Sequence, residues 1–359
     1  MASSTIFCRN CGKQSSIGEL FCSVCGTKLS IQVPVVNPIT PAPLTPTGQL
    51  APNSLMNKRY VLMKIVGKGG MGAVYKARDT LRNNRLIAIK EMSQSNLSPQ
   101  QVLNAIENFK REAHILAGLQ HPNLPHIYDY FEENGRLYLV MSFVEGETLD
   151  AYLSHAPNKR LSVEETLQIA QVLCRVLDYL HTHRPPIIFR DLKPGNVMRT
   201  FHGQFYLIDF GLARHLTPGQ IQDVAGYGSR GYAPPEQYSG SPSTTRSDIY
   251  SLGATLYHLL SGYGPAHAPF SLPQLKSRVS NLPESLVRLI TQMLALGEEE
   301  RPASIKVVQQ ELQNIIIELR ETPQVQPSKE AQATSTQSSS SQKSSSVIDK
   351  VIFWKKKNL

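Results

Sequence analysis

Four cysteines near the start of the chain stand in two matched phrases, Phe7-Cys8-Arg9-Asn10-Cys11-Gly12 and Phe21-Cys22-Ser23-Val24-Cys25-Gly26, with ten residues between Cys11 and Cys22. Two residues between thiols let a tight turn aim both sulfurs at one metal. The glycine that follows can take a positive φ, turning backbone N–H groups toward the thiolates. Cys8, Cys11, Cys22 and Cys25 are therefore candidate ligands of a tetrahedral four-thiolate Zn2+ site, structural or adhesive because no coordination position is left for a substrate. A thioredoxin-like redox pair and a disulfide scaffold are the competing readings, and matched CxxCG phrases without a βαβ context favour neither. Cys174 sits in an apolar helical run and reads as core.

Further along, Gly67-Lys68-Gly69-Gly70-Met71-Gly72-Ala73-Val74 joins two apolar stretches and reads as a hairpin turn between strands. A dinucleotide-binding glycine motif opens a helix, whereas Val74-Tyr75-Lys76-Ala77 continues as a strand. Backbone N–H groups around Gly67, Lys68, Gly69 and Gly72, with Val74 behind them, can instead fold over phosphate oxygens; an ordinary Gly-rich hairpin is the plainer alternative. Leu86 to Lys90 alternates as a strand, and Lys90 stands about 20 residues beyond the loop, where a cation would grip α- and β-phosphates. Phe109 to Leu116 reads as a helix with Phe109, Ala113 and Leu116 on one apolar stripe. It offers Glu112 as the ion-pair partner of Lys90, with Glu107 a neighbouring alternative.

The most specific phrase is Phe189-Arg190-Asp191-Leu192-Lys193-Pro194-Gly195-Asn196, followed after twelve residues by Asp209-Phe210-Gly211. With the glycine loop, Ile-Ala-Ile-Lys and the helix glutamate in the same order, residues 57–320 resemble the protein kinase family, specifically the bacterial, eukaryotic-like (Hanks-type) Ser/Thr kinases. The resemblance implies an α+β bilobal fold, with a β-rich small lobe at 57–144 and a helical large lobe at 145–320. It implies Mg-ATP, or Mn2+ in place of Mg2+, and protein substrates. Phosphoryl transfer needs charge neutralised and the acceptor hydroxyl held in line. Asp191 is then the expected base, Lys193 follows the γ-phosphate, and Asn196 and Asp209 supply oxygen ligands to Mg2+. Lys193 within D-L-K-P-x-N resembles Ser/Thr rather than tyrosine kinases. Leu137 to Val144 would form the adenine wall, with Met141 as gatekeeper and Ser142, Phe143 and Val144 offering backbone hydrogen bonds.

The same resemblance implies support roles: Ser229 near Asp191 and Lys193, Glu236 paired with Arg301, and Asp248 bracing the catalytic-loop backbone from a helix spanning 248–260. Two departures stand out. Phe189 occupies a position where the family usually has His, so an imidazole's hydrogen bonds give way to apolar packing. Pro234 replaces the usual alanine of Ala-Pro-Glu. Arg190 suggests a basic pocket for a phosphorylated loop residue, yet between Gly211 and Ser229 the hydroxyls are Thr217 and Tyr227, so a stand-in charge from Asp223 is an alternative to loop phosphorylation.

The elements around these groups follow from composition. At 359 residues and 41% hydrophobic, the chain can bury one large two-lobed core. Residues 1–30 form the Cys-rich module, a small zinc ribbon, and 31–56 read as a Pro-rich extended linker that tethers it. Residues 321–359, rich in Ser and Gln, read as a disordered tail. The tail ends in Val351-Ile352-Phe353-Trp354 and three lysines, either solubilising or able to touch an anionic membrane surface. No apolar run approaches the roughly 20 residues of a membrane span, and Met1 to Phe7 lacks a leader pattern, so the cytoplasm is the expected location. The formal charge of +9 leaves only +4 for residues 53–320, which argues against nucleic acid as a partner. A protein partner for the zinc module is expected, and a pseudokinase scaffold is the rival reading of the whole.

Overall fold

The computed structural model describes residues 5–7, 13–16, 21–27, 47–69, 72–92, 106, 110, 113, 117–210, 214–215 and 228–321. The chain divides into two units, Met1–Arg320 and Glu321–Leu359. Cys8, Cys11, Glu107, Glu112, Asp223, Thr217, Tyr227 and the tail from 322 lie outside the described residues.

At the N-terminus, strand β1 (Thr5–Phe7) pairs antiparallel with β2 (Gln14–Ser16), so the first Cys-x-x-Cys phrase falls in the connection between them. The second phrase forms a tight turn: Gly26 N donates to Cys22 O at 2.8 Å, Cys22 N donates to Thr27 O at 2.8 Å, and Gly26 takes φ 67°. Among the described residues, no three His, Cys, Asp or Glu side chains are grouped to hold a metal. The Phe21 ring lies 5.5 Å from that of Tyr130.

The small lobe is one six-stranded antiparallel sheet of β3 (Leu55–Met56), β4 (Tyr60–Gly69), β5 (Gly72–Asp79), β6 (Arg85–Met92), β7 (Ile127–Glu133) and β8 (Arg136–Ser142), in the order β3-β4-β5-β6-β8-β7. Alternation assigns its side chains to two faces. Tyr60, Leu62, Tyr75, Ile87, Ile89 and Tyr138 form an outer cluster, while Met92, Leu137 and Leu139 join the core shared with the helical lobe. The packed body starts earlier than position 57. Thr47 is buried, Leu50 packs on the outer cluster, and Asn53 N and Ser54 O bond to Leu62, so residues 47–56 belong to the small lobe rather than to an extended spacer.

Beyond the sheet, β9 (Gly146–Thr148) leads into helix α1 (Leu149–His155) and then α2 (Val163–His181). Ser162 caps α2 by accepting from Glu165 N, and its buried side chains include Leu167, Leu173, Cys174 and Leu177. Burial pushes the Cys174 thiol up to about 12, which suits a core residue. Short strands β10 (Ile187–Ile188), β11 (Val197–Thr200), β12 (Phe205–Leu207) and β13 (Arg214–His215) frame the loops between them. Next come α3 (Pro235–Ser239) and α4 (Thr245–Ser261). The capping box of Thr244 and Ser247 starts α4 at Thr245, three residues before the expected Asp248. Helix α4 is buried on nearly every side, as a central helix must be, and α5 (Leu275–Arg278), α6 (Glu284–Met293) and α7 (Ile305–Glu321) complete the lobe.

Arg301 fastens these helices together. Its two terminal nitrogens reach Glu236 Oε1 at 2.7 Å and Oε2 at 3.0 Å, and it also donates to the carbonyls of Ala295, Leu296 and Arg246. Arg301→Ala leaves the Glu236 carboxylate without its cation and three carbonyls without a donor. Equilibrium urea denaturation is expected to register a loss of about 3–5 kcal/mol.

Candidate active site

A cleft of about 860 Å3 opens between the sheet and the helical lobe. The small lobe contributes Gly67, Lys68, Gly69, Gly72 and Val74 from the β4–β5 hairpin, and Ala88 and Lys90 from β6. Gly69 pairs with Gly72 across the hairpin, so the backbone itself borders the cleft. Met141, Ser142, Phe143 and Val144 line it where β8 runs into the connection between lobes. Ser142 N donates to His126 O at 2.8 Å, so its N–H is not offered to the cleft, in contrast to the expectation from sequence. The large lobe adds Asn196 and Asp209.

Lys90 Nζ lies 2.8 Å from Asp209 Oδ1, joining the sheet to the helical lobe across the cleft. Asp209 holds φ 66° and Arg190 φ 71°, both in the left-handed region that non-glycine residues rarely occupy. Beside Asp209, four side chains form a closed network. Asn196 Nδ2 donates to Asp191 O at 2.7 Å and to Asp191 Oδ2 at 2.9 Å. Lys193 Nζ donates to Asp191 Oδ2 at 3.1 Å and to Ser229 Oγ at 2.5 Å, and Ser229 donates to Asp191 Oδ1 at 2.7 Å. With the Asn196 nitrogen used on Asp191, its amide oxygen is the atom left for a cation. That oxygen and the Asp209 carboxylate form an all-oxygen donor set suited to a hard divalent ion such as Mg2+.

The catalytic-loop backbone is held from below by Asp248, which is fully buried and accepts from Phe189 N at 2.9 Å and Arg190 N at 2.8 Å. The Phe189 ring is also fully buried and stands edge-on to Phe210, 5.0 Å between centroids, so the apolar replacement packs directly beneath the Asp209-Phe210 turn. Arg190 donates through Nε to Ser243 Oγ at 3.1 Å, and its carbonyl accepts from Gln237 Nε2.

Several contributors were not singled out from sequence. His181 Nε2 sits 2.8 Å from Asp248 Oδ2, a meeting of two helices that no local pattern announces. Lys76 borders the cleft, lies 4.5 Å from the Phe143 ring centroid and 3.1 Å from Glu145 Oε1. Its position two residues after Val74, on the same strand face, was the available signal. Asp150 stands where a Cβ on Gly195 would come within 2.8 Å of its Oδ2, so glycine makes room for that carboxylate. Burial raises the Asp150 carboxyl above the usual range, and Lys193 draws it partly back. Tyr232 donates to or accepts from His258 Nδ1 at 2.6 Å, and burial, then His267, lowers His258 to about 4.

Fold and site together define a two-lobed scaffold in which a glycine-rich hairpin roofs a cleft floored by the Asp209 carboxylate and the Asn196 amide, with Lys90 reaching down from the sheet. The protein kinase domain family matches residues 60–313, and the chain belongs to that family. It is 35% identical over 260 residues to the probable serine/threonine-protein kinase PknB of Lactococcus lactis, covering 69% of this chain and 40% of that protein. It is 31% identical over 295 residues to the serine/threonine-protein kinase A of Synechocystis, covering 75% of this chain and 55% of that protein. The chain thus spans about half or less of these relatives' lengths. Among solved structures, the kinase domain of Mycobacterium tuberculosis PknI is similar at a TM-score of 0.60 and 25% identity, covering 74% of this chain and 98% of that one.

Asp248→Asn replaces one acceptor oxygen with a donor. At least one of the Phe189 and Arg190 amides is expected to lose tenfold or more of its hydrogen-exchange protection, matching a lost buried hydrogen bond of about 1–3 kcal/mol. Unchanged protection at both amides would show that the carboxylate does not hold the loop.

Proposed function

We propose that this chain is an ATP-dependent Ser/Thr protein kinase that transfers the γ-phosphoryl group of Mg-ATP to hydroxyls of protein substrates. The observation that carries this reading is the network of Asp191, Lys193, Asn196 and Ser229 set beside the Lys90–Asp209 pair at the cleft. Asp191 accepts the proton of the incoming hydroxyl while the new O–P bond forms and the bond to the β-phosphate oxygen breaks. Lys193 is placed to follow charge on the transferred group. Lys90 grips the α- and β-phosphates, Glu112 being its proposed partner, and Val144 presents its backbone to the adenine beside Met141. Asn196 and Asp209 would hold Mg2+ or Mn2+, which neutralises phosphate charge when bound. Lys193 within D-L-K-P-x-N and the Ser/Thr names of the relatives support the acceptor class.

A pseudokinase scaffold, to which the absence of a histidine at Phe189 would point, is the less favoured reading, and the packing of that ring against Phe210 is compatible with an active centre. Among the described residues no helix is long and apolar enough to cross a membrane. A cytoplasmic location belongs to the same proposal. For the N-terminus we read a four-cysteine zinc ribbon that recruits a protein partner. The hairpin of β1 and β2 around the first cysteine pair and the φ 67° of Gly26 after the second support it.

Incubation with labelled ATP, Mg2+ and a generic basic protein tests the enzyme reading. Wild type is expected to label serine and threonine, and Asp191→Asn to label them on the order of 10²–10⁴-fold more slowly; equal rates would sink it. Elemental analysis is expected to find one zinc per wild-type chain and none when Cys22 and Cys25 are both replaced by serine. Zinc-free wild-type protein would remove the ribbon.

A further inference from the structure

The outer side of the glycine-rich hairpin is partly covered, although Ile65 and Val66 stay exposed. Residues 47–50 cross it, and what holds them there is a side chain adjacent in sequence to Lys90. On a strand, neighbours face opposite ways, so while Lys90 borders the cleft, Glu91 projects to the outer cluster. Glu91 is 0% exposed, an expensive place for a carboxylate unless its oxygens are satisfied. They are. Oε1 accepts from Arg136, and Oε2 accepts from Tyr75 OH at 2.8 Å and from Gly48 N at 2.9 Å. Tyr75 OH in turn lies 3.4 Å from Leu50 N, so carboxylate and phenol together take two backbone N–H groups of the crossing segment. Burial, then Glu91, pushes the Tyr75 phenol up to about 12, so it stays protonated and can donate.

The segment also touches the hairpin directly. Gly48 holds φ +80°, and a Cβ there would stand 3.1 Å from Lys68 Cδ and 3.3 Å from Ile65 Cδ1. Both Ile65 and Lys68 border the cleft. A buried anchor, a backbone strap and the tip of the phosphate-facing hairpin therefore form one contiguous stack. We propose that Glu91 is a positioning residue for nucleotide binding: it clamps the Thr47–Leu50 strap over the β4–β5 hairpin and so holds the hairpin at the height a triphosphate requires. The proposal rests on the ATP-dependent reading above and adds to it a route by which the N-terminal segment sets nucleotide affinity.

The test releases the strap while leaving the Glu91–Arg136 pair alone. In the full chain, Gly48→Pro deletes the N–H donor and cannot take φ +80°. Tyr75→Phe removes the phenol and keeps the ring, and Pro52→Ala, at an exposed position, is the control. Gly48→Pro is expected to raise both the KM for ATP and the Kd of a fluorescent ATP analogue about three- to tenfold, a shift of about 0.7–1.4 kcal/mol. Its kcat should stay within about twofold and its KM for the basic protein should not change. Tyr75→Phe should move the same two constants in the same direction, and Pro52→Ala should match wild type. ATP constants unchanged in Gly48→Pro, or kcat falling together with thermal stability, would overturn the proposal. Because the analogue reads binding without transfer, a wild type that binds it but transfers no phosphate, together with a raised Kd in Gly48→Pro, would sink the kinase reading and keep this one.

Discussion

A single carboxylate with no exposure to water organises the candidate active site. Asp248, near the start of a helix buried on nearly all sides, accepts two consecutive backbone N–H groups of the catalytic loop and lies against His181 of another helix. A carboxyl group so buried is costly unless its oxygens are hydrogen-bonded, which favours the loop register that presents both amides to it. That register puts Arg190 in left-handed backbone and sets Asp191 where Lys193, Asn196 and Ser229 converge on it. The strain at Arg190 is tolerated because the surrounding hydrogen bonds over-determine it.

The helix carrying Asp248 must itself be immobile for this to work. Its capping box, the Glu236–Arg301 fork and the hydrogen bond from Ser247 to Glu236 tie its first turn to α3 and to the segment before α7. The polar core of the large lobe is thus a chain of buried pairs running from Arg301 to Asp191. Each link is costly to break because removal of one partner leaves the other desolvated and alone. The small lobe uses the same device on its outer face, where Glu91, Arg136 and Tyr75 are satisfied by one another and by the strap.

Phe189 shows how an apolar side chain can replace a polar one in this setting. The backbone hydrogen bonds of the loop are made by Asp248, not by the side chain at 189, so the ring is free to serve packing alone. Edge-on contact with Phe210 keeps the Asp209 turn seated while Asp209 holds its left-handed φ and meets Lys90.

The sequence alone determined the order of parts and the chemistry of most of them. Glycines without side chains, a strand carrying Lys90 and the phrase from Asp191 to Asn196 are local patterns whose proposed roles rest on residue type and spacing. So are the hairpin paired at Gly69 and Gly72 and the helical run around Cys174, because period and propensity act over a few residues. Only the tertiary structure decided which distant groups meet. Spacing could not reveal that His181 leans on Asp248, that Ser142 spends its N–H on His126, or that Asp150 fills the space beside Gly195. Nor could composition place residues 47–56, whose single proline and small residues continue the Pro-rich stretch before them and read as linker. They join the fold because Glu91, buried some forty residues later, accepts the Gly48 N–H, Tyr75 accepts that of Leu50, and Asn53 and Ser54 bond to Leu62.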